Sequence, residues 1–129
     1  MTIQVAWITD TLTFKSAFEH AVARLNAQFV IASDVAVLPS APIDLLIWSP
    51  ARFDRADYER IRPRCFHMVI CIPKGVELPR WYPRYDARWP SYLVVIPFDA
   101  DEFATILELA LQGPRLAPFE PEQGDPSVP

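Results

Sequence analysis

The fold turns on the stretch Tyr92 to Leu111, YLVVIPFDADEFATILELAL. Tyr92 to Ile96 is an unbroken apolar run, rich in β-branched residues and of strand length. It reads as a strand buried on both faces. Pro97 ends it, because proline brings no N–H to a sheet ladder. Asp99 and Glu102 stand three apart before a helical pattern. That spacing predicts a capping box, with Asp99 as N-cap and Glu102 reaching back to its N–H. Phe103, Ile106, Leu107, Ala110 and Leu111 then recur at three- and four-residue steps and give the helix one apolar face. Gly113-Pro114 stops it. A buried strand feeding a one-faced helix points to a parallel α/β sheet.

The rest of the chain supplies four more strands. Ile3 to Ile8 (IQVAWI) is the first, followed by a polar turn, Thr9 to Thr13, that offers several candidate N-caps. Phe14, Ala17, Phe18, Ala21, Val22 and Leu25 form a helical stripe that closes near Asn26. Gln28 to Ala32 is the second strand. The connection Val35 to Pro42 holds two prolines and has room for one turn rather than a crossover helix. Ile43 to Trp48 (IDLLIW) is the third strand, apolar enough for the sheet centre. A short helix within Ala51 to Arg62 ends before Pro63. Phe66 to Ile72 is the fourth strand. Lys74 to Ser91 carries three prolines and four aromatic residues without helical period, and reads as an ordered irregular loop.

Composition narrows the function. At 129 residues and 51% apolar content the chain fits one globular domain, here 1–113, with a proline- and acid-rich flexible tail over 114–129. No apolar run reaches the roughly 18 residues of a membrane span. Strand pattern begins at Ile3, without a basic segment and apolar core before it, so the expectation is a cytoplasmic protein with no signal peptide. Cys65 and Cys71 then read as reduced structural thiols. A net charge of −4 weighs against nucleic acid as a partner. His20 and His67 are not paired at metal-ligand spacing, and neither a metal nor a cofactor is expected.

The run Ile96-Pro97-Phe98 before an acidic helix start, the strand beginning Ile43-Asp44-Leu45-Leu46 and the order of elements together resemble a bacterial response-regulator receiver domain. The resemblance covers Ile3 to about Leu111. It implies a single doubly wound, flavodoxin-like sheet of five parallel strands in the order 2-1-3-4-5, here with reduced second and fourth helices. It also implies a phosphorylation pocket: an acceptor aspartate, an acidic pair for Mg²⁺, a lysine on the phosphoryl oxygens and a switch hydroxyl. In this sequence the acceptor falls on Ser49, a weak nucleophile without an activating base. The acidic pair falls on Thr9 and Asp10, leaving at most one carboxylate, and Mg²⁺ needs richer oxygen coordination. The lysine falls on Ile96, or on Val95 if the alignment slips by one. The switch hydroxyl falls on Cys71 or Ile72. The chain therefore reads as a pseudo-receiver without receiver chemistry, not an enzyme.

Output must then pass through contacts. Trp81, Tyr82, Tyr85 and Trp89 interleave with Arg80, Arg84 and Arg88, residue types enriched in binding hot spots. Two readings stand: an interaction surface formed by Trp81, Tyr82, Arg84, Tyr85, Arg88 and Trp89, or aromatic residues packed inward in place of a helix. In receivers this region commonly forms dimers or meets effectors, which implies a protein partner or a homodimer. Two other classes compete. Thr9, Thr11 and Thr13 resemble the hydroxyl-bearing phosphate loop of a flavodoxin-like flavin or small-ligand binder, though without glycine for close backbone approach. The basic aromatic loop also fits single-stranded nucleic acid, against the acidic total.

Overall fold

The computed structural model describes residues 2–38, 41–88, 90–96 and 98–113. The proposed tail 114–129 lies outside them, as does Pro97. Along the chain run β1 (Gln4–Thr9), α1 (Lys15–Ala23), β2 (Gln28–Ala32), β3 (Ile43–Ser49), α2 (Arg55–Ile61), β4 (Cys65–Pro73), α3 (Tyr82–Arg88), β5 (Tyr92–Ile96) and α4 (Ala100–Gln112). Single 3-10 turns stand at Val35–Val37 and Arg62–Arg64. The strands pair in the order β2-β1-β3-β4-β5, and every pairing is parallel. This is the doubly wound sheet expected from the sequence, with the second crossover helix reduced to one 3-10 turn.

Alternation along the central strands divides the core into two layers. Val5, Trp7, Leu45, Ile47, Val69 and Cys71 face α1 and α4, whose Phe18, Phe103 and Leu107 meet them. Ala6, Ile8, Leu46, Trp48, Met68 and Ile70 face the opposite layer, filled by Tyr58 and Ile61 of α2 and Tyr82 and Tyr85 of α3. The Trp7 and Phe18 rings stack with centroids 4.0 Å apart.

Four expectations change. The run Tyr92–Ile96 is a strand at the sheet edge, as the order 2-1-3-4-5 implies, but it is not buried on both faces. Tyr92, Leu93 and Val95 are 42%, 38% and 50% exposed, and only Val94 is buried. In register, Leu93 lies opposite Ile70 and Val95 opposite Ile72, so both belong to the face that α3 serves. The seven residues of α3 leave them open.

The second change is α3 itself. Tyr82–Arg88 is a helix rather than an irregular loop, though a reduced one. Pro83 sits in its first turn, where an N–H has no helical partner, and Pro90 lies beyond its end. The helix is too short for the apolar period to show in the sequence.

The third concerns the start of α1. The N-cap position is Phe14, held at φ 64° with no side-chain cap. The threonines expected to cap the helix bond one another instead, as described below. The fourth is the capping box of α4. The Asp99 carboxylate accepts from the N–H groups of Asp101 (2.8 Å) and Glu102 (3.2 Å), as expected of an N-cap. Among the described residues, no bond returns from Glu102 to the Asp99 N–H.

Candidate functional site

The carboxyl ends of β1 and β3 adjoin at the point where strand order reverses, the usual ligand position in an open α/β sheet. A cavity of about 280 Å³ opens there, bordered by Thr9, Asp10, Asp34, Ser49, Arg52, Asp57 and Arg60 among others. Of the four residues that fall on a receiver's phosphorylation set, the structure brings Thr9, Asp10 and Ser49 to this cavity. Ile96 does not line it. It is half-buried at the far edge, opposite Pro73, and packs toward the α1/α4 layer.

The Thr9 and Ser49 hydroxyls at the cavity are both engaged. Thr9 is buried; its Oγ1 donates to the Thr11 carbonyl at 2.8 Å and accepts from the Thr11 N–H at 3.2 Å. Thr11 Oγ1 and Thr13 Oγ1 are 2.8 Å apart, and the Thr11 hydroxyl also accepts from the Thr13 N–H. The three threonines thus form a self-bonded ladder. Ser49 pairs in register with Thr9 and points to the same face as Trp7. The Trp7 indole Nε1–H donates to Ser49 Oγ at 2.9 Å. A buried indole N–H needs an acceptor, and this hydroxyl supplies it. On its other side Ser49 meets the buried Cys71 thiol. Burial pushes that thiol up to about 12, against a smaller lowering by a hydrogen bond with Ser49.

The carboxylates are distributed unevenly. Asp10 is exposed. Asp34 and Asp57 are both held by Arg60, whose Nη2 reaches Asp57 at 2.7 Å and whose Nη1 bonds Asp34. Hydrogen bonds to Asp57 and Asp34 raise the Arg60 pKa still further. Among the described residues, no three His, Cys, Asp or Glu side chains gather as a metal-binding group. Sequence reasoning missed Trp7, Asp34, Asp57 and Arg60 as parts of this site. The three-residue spacing of Asp57 and Arg60 on a helix was a readable signal. Asp34 joins them only through the fold.

The aromatic segment lies elsewhere. Tyr82 and Tyr85 are buried, 2% and 8% exposed, and belong to the core rather than to an interaction surface. Trp81 is half-buried against Phe53, Tyr58 and Tyr85, with ring centroids 5.3, 5.3 and 5.7 Å away. Arg84 is exposed. Trp89 and the Arg88 side chain fall outside the described residues. The correction has a simple cause: on a helix, Tyr82 and Tyr85 are three apart and share one inward face. Their hydroxyls remain satisfied at the margin. Tyr82 donates to Asp86 at 3.0 Å; Tyr85 donates to Glu59 at 2.6 Å and accepts from Arg55 at 3.1 Å. Burial raises the pKa of Tyr82 and Tyr85 and pushes Tyr58 up to about 12.

A different surface is apolar and open. Leu93 and Val95 of β5, with Phe98, Phe103 and Ile106 beside α4, border a broad depression of about 490 Å³, which Asp99 and Glu102 also line. Tyr92 is exposed on the same strand.

No protein-family model matches the chain, and no curated protein matches it. Among solved structures, the chain is similar to the beryllofluoride-activated NtrC receiver domain determined in solution. The two share 18% identity and superpose with a TM-score of 0.61, over 87% of this chain and 97% of that domain. The receiver fold is thereby established; at this identity the likeness extends to the fold alone.

Proposed function

We propose that this chain is a non-catalytic signalling module that keeps the receiver fold and works through protein contacts, independently of phosphorylation. The observation that carries the proposal is the apolar edge of the sheet: Tyr92, Leu93 and Val95 stand exposed on a strand with one unpaired side. Monomeric proteins blunt such edges with charge, proline or a covering helix. Here α3 is too short to cover it. A second copy of this chain supplies a matching strip by two-fold symmetry, so a homodimer through β5 and α4 is the contact we assign. The independence from phosphorylation rests on Ser49. Its oxygen accepts from Trp7, and the carboxylates nearest the cavity apart from Asp10 are bound to Arg60. The fold likeness to a receiver supports a signalling setting, and two buried free thiols suit the reducing cytoplasm.

The test is light scattering after size-exclusion chromatography, with and without acetyl phosphate and Mg²⁺, alongside intact-mass measurement. The expected result is a dimer in both conditions and no phosphoryl mass gain. A Leu93→Lys/Val95→Lys variant should be monomeric with unchanged circular dichroism. A wild-type monomer at tens of micromolar overturns the dimer, and stoichiometric phosphorylation overturns the independence.

A further inference from the structure

At the opposite end of the sheet from Ser49 lies a cation that the reading above does not use. Arg62 is 1% exposed, among the largest fully buried side chains of the molecule. It opens the 3-10 turn between α2 and β4, where Pro63 fixes the backbone. Its Nη1 donates to the Cys65 carbonyl at 3.1 Å and approaches the Cys65 sulfur at 3.5 Å. Its Nε–H is buried with no hydrogen-bond partner. Among the described residues, no carboxylate lies within ion-pair distance of it. The Asp86 carboxylate, whose charge raises the Tyr58 pKa while that of Arg62 lowers it, is engaged by the Tyr82 hydroxyl and the Ser91 N–H. A guanidinium stays charged at any ordinary pH, so burial without a counter-charge is strongly unfavourable.

Arg62 lines a cavity of about 180 Å³ between the amino-terminal ends of β4 and β5 and the last turn of α4. Ser91 lines it too, and its Oγ is likewise buried without a partner in hydrogen-bonding geometry. Ser91 lies close enough to the Tyr58 and Tyr82 hydroxyls to lower their pKa, yet it does not complete a bond with either. His67, Tyr92 and Gly113 are among the other residues of the walls. Two residues with buried, unpartnered donors, one of them permanently cationic, thus line one small chamber. The chemistry that satisfies both is a group that only accepts and carries negative charge. At about 30 Å³ per water, the space holds about six waters, which suits an ion of phosphate or acetate size.

We propose that this cavity is a binding site for a small oxyanion, a carboxylate or phosphate, held by Arg62 with Ser91 as second donor. The site is separate from the β1/β3 cavity and shares only Tyr92 with the exposed residues of the β5 edge, while its donors, Arg62 and Ser91, lie off that edge.

The intact chain is tested with inorganic phosphate and with acetate, at ionic strength held constant with sodium chloride. The expected result is a melting temperature that rises and saturates with at least one of the two ions. Arg62→Met should abolish the rise, and Arg84→Met, on the exposed face of α3, should keep it. No saturable rise with either ion, or an equal rise in Arg62→Met, overturns the site. Should Arg62→Met fail to fold, two readings on folded protein decide. The Arg62 Nε–H resonance should move on titration of the wild type, and Ser91→Ala should weaken the response several-fold. A resonance that stays fixed at saturating concentrations of both ions overturns the proposal.

Discussion

Strands β3 and β5 are both short, apolar and rich in branched side chains, yet they live in opposite surroundings. In Ile43–Ser49 the four residues Leu45 to Trp48 are all buried, because β1 and β4 flank the strand and helical layers cover both faces. In Tyr92–Ile96 three of five side chains are exposed. The difference lies in the neighbours. β5 has a partner on one side only, and its outer face depends on a seven-residue helix. Hydrophobic composition therefore fixes that a segment is a strand, while its place in the order fixes how much stability it contributes and whether it can meet a partner.

The largest effect that would break this contrast is a truncation on each strand. Leu46→Ala should cost about 2–5 kcal/mol in urea unfolding, because a fully buried leucine leaves a cavity. Leu93→Ala should cost less than about 1 kcal/mol in the monomer, since much of that side chain is already in water. Equal losses would mean that β5 is covered in solution even in the monomer.

A smaller effect tests the end of β3. Ser49→Ala leaves the buried Trp7 indole without its acceptor and should destabilise by about 1–3 kcal/mol. A neutral result would mean that Ser49 is free for other chemistry and would reopen it as a reactive hydroxyl.

The smallest concerns pH and compares the two layers that β3 separates. Tyr58, in the α2/α3 layer, has its pKa raised by burial from 10.0 to about 12. Between those values an unfolded tyrosine releases its proton while the folded one keeps it, so the folded state binds more protons. Stability from this group is complete below pH 10 and declines as pH rises through the window, by at most about 1.4 kcal/mol per unit. Cys65 in the same layer and Cys71 in the α1/α4 layer are raised from 9.0 to about 11 and about 12, so the decline begins near pH 9. Tyr58→Phe should lessen the decline above pH 10 and leave the parts due to the thiols and to Tyr82 and Tyr85, whose pKa values burial also raises. An unchanged slope would show that Tyr58 reaches solvent.

Much of this architecture was written into local patterns. The apolar runs Ile3–Ile8, Ile43–Trp48 and Tyr92–Ile96 located strands because alternate residues must fill two layers. Asp99 announced the start of α4 because its short carboxylate reaches the first free N–H groups. The two prolines of 35–42 announced the lost crossover helix. The candidate site was less legible. Thr9, Asp10 and Ser49 could be aligned at the strand ends, but nothing local linked Trp7 to Ser49, forty-two residues away, or Asp34 to Arg60. The aromatic segment misled because Tyr82 and Tyr85, read one by one, have the composition of a hot spot, and only a helix turns both inward.

The sequence by itself determined five strands and a parallel sheet, and it set uncharged Ser49, Thr9 and Ile96 where the receiver resemblance implies charge, because strand period, caps and side-chain charge are properties of neighbouring residues. Tertiary structure alone decided that three side chains of β5 are left uncovered, that Tyr82 and Tyr85 are core, that the Ser49 hydroxyl is taken by an indole and that Arg62 is buried. Those are properties of burial, and burial depends on what arrives from distant parts of the chain to cover each side chain.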